Sequence, residues 1–301
     1  MTQPLAWNRR SFLAAGAALS AVGGWTAAVP AVEPLERAGH KFKLSLAAYS
    51  YRSLLQGNSP QMTLFDFVDD CAKFGLDGTE LTSYYFPKDV DADYLRSLKR
   101  HCFRQGLDVS GTAIGNDFGH PDAASLQTEI AKTKQWIDFA EILGAPVIRI
   151  FAGHQKPGQS AEATHQRMVD AINECCEYAG RHGVHLALEN HGGPTATPDG
   201  LLKIVRDVDS PWFGVNLDSG NFHGEDIYSE LQEIAPYALN VQVKVTVHPA
   251  GKPKEETDFH RLSQILQAAH YRGYVVLEFE EEGDVRAESE RFIHLLRQAF
   301  A

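Results

Sequence analysis

From about residue 42 onward, short runs in which apolar and polar side chains alternate are separated by longer runs in which apolar positions recur every three or four residues. The first period is that of a strand with two unlike faces, the second that of an amphipathic helix. The alternating runs are KLSLAAYS, LDGTELTS, LDVSGTAI, PVIRIFAG, VHLALENH, FGVNLDSG, NVQVKVTV and YVVLEFEE, beginning near residues 43, 76, 107, 146, 184, 213, 240 and 274. Between them lie helical patterns such as TLFDFVDDCAKFG, EIAKTKQWIDFAEILG and FHRLSQILQAAHYRG, several closed by a glycine where a helix ends. Repeated strand then helix implies parallel strands joined by crossover helices. Eight such units in about 260 residues predict an α/β fold, a single (β/α)8 barrel over residues 42–301. A doubly wound sheet would bring a glycine-rich turn after its first strand, and AAYSYRSLL contains no glycine.

In a barrel, alternate strand residues face either the helices or the interior. Leu186 and Leu188 oppose Ala187 and Glu189; Val215 and Leu217 oppose Asn216 and Asp218; Val275, Leu277 and Phe279 oppose Glu278 and Glu280. By the same parity Arg149 opposes Ile148 and Ile150, and Glu80 opposes Thr79 and Leu81. The valines of NVQVKV then face outward, and Gln242 and Lys244 look toward the same place as Glu189, Asp218 and Glu278. Buried carboxylates cost several kcal/mol each unless paired or bound to a cation, so this convergence requires a partner. Lys244 and Arg149 could neutralise two of them. A divalent ion would neutralise more, and an all-oxygen set suits Mn²⁺, Mg²⁺ or Co²⁺ better than structural zinc.

The motifs LENHGG, NLDSGN, VQVKV and YRGYVVLEFE, in this order and at strand spacing, resemble the xylose-isomerase-like barrels that include sugar phosphate isomerases, hydroxypyruvate isomerases and ketose 3-epimerases. The resemblance covers about residues 42–298. It implies Glu189, Asp218, Gln242 and Glu278 as metal ligands, with Glu189 and Glu278 doubling as acid and base. The family usually has His at the position of Gln242, and often His where this chain has Asn221. The implied chemistry is proton abstraction next to a carbonyl, through an ene-diolate, with isomerisation or epimerisation as the outcome. Lys244, Arg149, His191, Glu80 and Asn221 are the expected substrate-binding groups. A small-molecule carbohydrate is the expected partner, and a homo-oligomer is in keeping with barrels of this class.

Other readings share these residues. Glu189, Asp218 and Glu278 could form only a structural ion-pair network with Lys244 and Arg149, Gln242 could be a plain hydrogen bonder, and Glu280 could ligate in place of Glu278. Glu80 could bridge strands rather than touch substrate, and Tyr84 and Tyr85 could wall a sugar ring. In function, a lyase or hydrolase of keto-glycosides would use the same proton abstraction, and a non-catalytic exported sugar-binding barrel would retain only the fold. An abasic-site endonuclease of the same superfamily would need several zinc-binding histidines that the strands do not supply.

The N-terminus has a different composition. Arg9 and Arg10 precede SFL and an Ala- and Gly-rich apolar stretch ending in small residues, the layout of a secretory signal and similar to a twin-arginine signal in particular. We expect residues 1–31 to be a cleavable signal, residues 32–41 a linker, and the mature protein to be exported to the periplasm with no stable membrane insertion. Removing residues 1–31 takes away two arginines and no acid, leaving 26 basic against 39 acidic residues, a net charge of −13. That sign argues against nucleic acid as a partner. The four cysteines show no zinc-ligand spacing and read as buried thiols.

Overall fold

The computed structural model describes residues 33–37, 39–57 and 59–301. The segment read as an export signal lies outside them. Eight strands form the closed barrel: β1 Lys41–Ala47, β2 Gly78–Thr82, β3 Asp108–Ala113, β4 Val147–Ile150, β5 His185–Glu189, β6 Phe213–Asp218, β7 Ala238–Lys244 and β8 Arg272–Glu278. Each pairs in parallel with its neighbours in sequence, and β8 closes on β1 with Leu46 opposite Leu277. The starts fall within two or three residues of those predicted from the alternation.

The helices of eight residues or more are α1 Leu64–Lys73, α2 Ala92–Arg104, α3 Ala123–Leu143, α4 Ala161–Arg181, α5 Pro198–Asp207, α6 Ile227–Ile234, α7 Phe259–Ala268 and α8 Val285–Ala299. Every one begins with a side-chain cap: Thr63, Asp91, Asp122, Ser160, Thr197, Asp226, Asp258 and Asp284 accept from backbone amides of the first turn. At α1 the cap is reciprocal, since Asp66 also accepts from Thr63 N at 2.8 Å. These caps stand at the carboxyl ends of the strands. Sequence therefore fixes where each crossover turns back, and with it the loops that surround the barrel mouth.

The strand parity read from the sequence holds. Val241, Val243, Leu186, Leu188, Val215 and Leu217 are fully buried against the helical layer, which also takes in Trp136, whose indole donates to Thr112 Oγ1 at 2.9 Å. All four cysteines are buried free thiols. At the other end of the barrel the linker runs across its base: Leu35 N donates to Pro236 O at 3.1 Å, and Arg37 donates to Ala238 O at 2.9 Å. No helix among the described residues is long and apolar enough to cross a membrane.

One of the alternating runs divides in two. The run NVQVKVTV does not continue through residue 247: β7 ends at Lys244, and Thr246–Val247 pairs antiparallel with Glu255–Glu256 instead. Thr257 makes the break, donating its hydroxyl to Lys244 O at 2.7 Å and its amide to Val245 O at 3.0 Å. The chain after Lys244 is thereby drawn outward as a short ribbon, and Lys244 is left as the last inward residue of β7.

Candidate active site

Two layers of polar side chains fill the barrel toward its mouth. The lower layer is an amide network. Gln242 Nε2 donates to Glu80 Oε1 at 2.6 Å, and Asn240 Nδ2 donates to Glu80 Oε2 at 2.9 Å. Asn216 Nδ2 donates to Gln242 Oε1 at 2.7 Å, and Asn216 Oδ1 accepts from Asn240 at 2.9 Å. Glu80 therefore bridges β2 to β7 inside the barrel. It is completely buried, and burial raises its pKa against the opposing pull of the Gln242 amide and Arg149.

The upper layer holds the carboxylates. Glu189, at the end of β5, lies 2.8 Å from Arg149 Nε on the adjacent β4, in an ion pair with both side chains buried. The approach is close but not aligned as a hydrogen bond, since Arg149 Nε has no hydrogen-bond partner. Arg149 is held by its own donation to Ile114 O at 2.6 Å. Asn221 donates to the other oxygen of Glu189 at 2.9 Å. At the end of β6, Asp218 Oδ1 accepts from Gly220 N at 2.8 Å, whereas its buried Oδ2 has no hydrogen-bond partner. Asn190 clamps this strand end, donating to Asp218 O and accepting from Asp218 N.

Lys244 sits among the remaining acids. Its ammonium bonds Glu280 at 2.6 Å and stands 3.7 Å from Asp218 Oδ2 and 3.8 Å from Glu278 Oε2. Glu280 is one-third exposed at the rim, while Glu278 is buried inside. Lys244 thus belongs first to Glu280, and Glu278 and Asp218 feel it only through space. Burial pushes the pKa values of Glu189, Asp218 and Glu278 well above the ordinary carboxylate range, with Arg149 opposing at Glu189 and Lys244 at the other two. Burial alone would lower the pKa values of Arg149 and Lys244, but their acidic neighbours outweigh it and hold both firmly protonated.

His191, just beyond β5, packs against Phe151 with ring centroids 4.3 Å apart and the planes tilted by 38°, and the Arg149 guanidinium lies 4.1 Å from the same ring. Burial, then the charges of Arg149 and Lys244, lower its pKa, so it stands as a neutral imidazole. Asn216, Asn240 and Asn190 were not singled out from the sequence. For the first two the signal was present, because they share the inward parity of Asp218 and Gln242.

The donor set can be tested for a divalent ion on charge and on oxygens. When all four are ionised, Glu189, Asp218, Glu278 and Glu280 supply four anions against two cations, Arg149 and Lys244, and four less two leaves the charge that one divalent ion would cancel. Asp218 Oδ2 is a buried oxygen with no hydrogen bond, and Gln242 Oε1 uses one lone pair on Asn216. As the side chains lie, no three His, Cys, Asp or Glu among the described residues already converge as a coordination shell. The set fits an ion by charge and donor type, and Lys244 has Glu280 as its nearest acid at 2.6 Å.

The family model described as "Xylose isomerase-like TIM barrel" matches residues 68–298. The chain belongs to this family. A 3-dehydroshikimate dehydratase of Bacillus anthracis is 23% identical over 205 residues, which are 67% of this chain and 71% of that one. An L-ribulose-5-phosphate 3-epimerase of Escherichia coli is 30% identical over 172 residues, 54% of this chain and 60% of the enzyme's length. In structure, the D-psicose 3-epimerase of Clostridium cellulolyticum H10, solved with D-tagatose, superposes with a TM-score of 0.71 at 15% identity, covering 86% of this chain and 99% of that one. That last likeness is one of fold.

Proposed function

We propose that this protein is a divalent-metal-dependent sugar isomerase or epimerase that removes a proton from the carbon next to a carbonyl. The observation that carries the reading is the set of three buried carboxylates, Glu189, Asp218 and Glu278, which when ionised, with Glu280 counted, outnumber the cations Arg149 and Lys244 by two. Its similarity to the epimerase of Escherichia coli supports the same class.

An ion of Mn²⁺, Mg²⁺ or Co²⁺, held by Glu189, Asp218, Gln242 and Glu278, would supply Lewis acidity toward a ketose carbonyl and its neighbouring hydroxyl. The protein's own groups do the rest. Glu189 and Glu278 project from β5 and β8, three strands apart around the barrel, so they address the interior from different sides. One takes the proton and the other returns it; return to the opposite face of the same carbon gives epimerisation, and return to the adjacent carbon gives isomerisation. Asn221 fixes Glu189 in direction by its hydrogen bond, and Arg149 with Lys244 offsets the charge that develops on oxygen as the ene-diolate forms. Gln242 is pinned by Glu80 through its nitrogen and by Asn216 through its oxygen, which keeps one lone pair for an ion. The twin-arginine-like leader supports an exported protein and so a sugar substrate met outside the cytoplasm.

Similarity to a dehydratase over two-thirds of the chain favours a second reading at the same site. In a keto-glycoside, the electron pair left by proton abstraction forms a carbon–carbon double bond, the bond to the aglycone oxygen breaks, and that oxygen takes a proton from the acid. Both readings are tested by incubating the leader-less protein with Mn²⁺ and ketoses or keto-glycosides in D2O, following the substrates by NMR beside Glu189→Gln. Deuterium entering the sugar supports the first reading and a released alcohol or phenol the second. Absence of exchange and release from every substrate, or wild-type rates in Glu189→Gln, would overturn the proposed chemistry.

A further inference from the structure

Beside the mouth, the loops that follow β1 and β2 enclose a cavity of about 560 Å³. It is in the size range of pockets that hold small organic ligands. Leu55, Met62, Phe65, Phe86 and Tyr94 supply its apolar wall, and Tyr84 and Tyr85 stand on the side toward the barrel. Edge-to-face rings line the way. Tyr49 meets Tyr84 with centroids 6.4 Å apart and Tyr84 meets Tyr85 at 6.2 Å, while Phe86 and Phe65 both pack on Tyr94 at 6.1 and 5.6 Å.

Tyr84 joins this cavity to the site. It lines the cavity, its phenol acts on the charge of Arg149, and its ring closes on Gly115, where an added Cβ would lie 3.0 Å from the Tyr84 hydroxyl oxygen. Tyr49, on the same path, feels Glu280 and Glu278. A ligand with one ring over the carboxylates could therefore place a second group across Tyr84 into the cavity.

We propose that this cavity is a subsite for the aglycone of a glycoside, and that the aglycone is a flat, apolar or aromatic group. This deepens the reading of the barrel mouth as a sugar site and rests on it. The Thr63 hydroxyl in the lining is already given to Asp66 at 2.7 Å, so a second sugar ring would have to be met by Gln56, Lys88 and the hydroxyls of Tyr84, Tyr85 and Tyr94. Gln56 and Lys88 stand exposed at the rim, with aromatic and aliphatic groups making up most of the remainder. Such a wall matches a planar ring by stacking and edge contacts.

The test has two arms. In the first, phenol alone is titrated into the leader-less protein by ligand-observed NMR, for wild type, Gln56→Trp, Lys88→Trp and Asp218→Ala. Both tryptophans are placed at exposed rim positions to fill the cavity without disturbing the core. Saturable binding in wild type and Asp218→Ala, weakened tenfold or more in the rim variants, supports the subsite. In the second arm, phenyl and methyl 3-keto-β-D-glucosides are compared as substrates. A preference in kcat/KM for the phenyl compound that falls toward unity in the rim variants assigns the cavity to the aglycone. Failure of phenol to bind, or equal binding in all four proteins, overturns the proposal. Binding that follows the rim variants while neither glycoside reacts would leave the cavity as an aromatic site and refute its assignment to an aglycone together with the keto-glycoside chemistry.

Discussion

Gln242 donates its side-chain amide to Glu80 at 2.6 Å, joining β7 to β2 through the inside of the barrel. With Asn240 on its second oxygen, Glu80 satisfies two buried amide groups at once. Glu80→Ala would strand both, and a buried polar group left without its partner costs about 1–3 kcal/mol. The expected loss is roughly 2–5 kcal/mol in urea denaturation, with Glu80→Gln losing less because it keeps one acceptor oxygen. A loss below about 0.5 kcal/mol, the level of an ordinary surface change, would contradict this role.

The Arg149–Glu189 pair makes a different prediction. Arg149→Met leaves Glu189 buried beside no close cation, a change that typically costs about 3–5 kcal/mol. Adding Glu189→Gln should restore much of that stability, while neither variant recovers activity. A double-mutant cycle measures the coupling directly, and additive losses would show that the two do not act as a pair.

Much of this was legible in the alternation of the strands. Period two is rigid, so once the valines of NVQVKV are placed outward, Gln242 and Lys244 have to face in, and the same step orients Arg149, Glu189, Asp218 and Glu278. The pairing among inward groups is another matter. It depends on the stagger of neighbouring strands, and the register shifts between Thr79 and Glu80 and again between Val215 and Asn216. Glu80 meets Asn240 and Gln242 across the barrel rather than along a paired strand, which no single-strand pattern reveals. Thr257 ends β7 through contacts from thirteen residues away, so the alternation that ran on to Val247 overstated the strand. The preference of Lys244 for Glu280 over Glu278 likewise follows from the height of each acid in the mouth.

The raised pKa values of the buried acids carry a sign. Glu189, Asp218 and Glu278 bind protons more tightly in the folded chain than in the unfolded one. In the presence of a chelator, stability is therefore fully present below the ordinary carboxylate range and falls as pH rises through neutrality. Asp218→Asn removes one of these charges and keeps an oxygen for Gly220 N. It is expected to flatten that slope and to raise Tm at pH 8 by roughly 2 °C or more, the shift that about 1 kcal/mol gives in a chain of this size. A Tm lowered at pH 8 and unchanged at pH 5 would reverse the assignment.

The central claim is that the excess negative charge at the barrel mouth is there for a divalent ion. Elemental analysis of the folded, leader-less protein, run beside Asp218→Ala, tests it most directly. The expected result is about one Mn, Mg or Co per chain, lost in the variant, with thermal stabilisation of the wild type when the ion is restored. No bound metal, and no rise in Tm on adding any of the three, would contradict the account and leave Lys244 and Arg149 as the only cations the site employs.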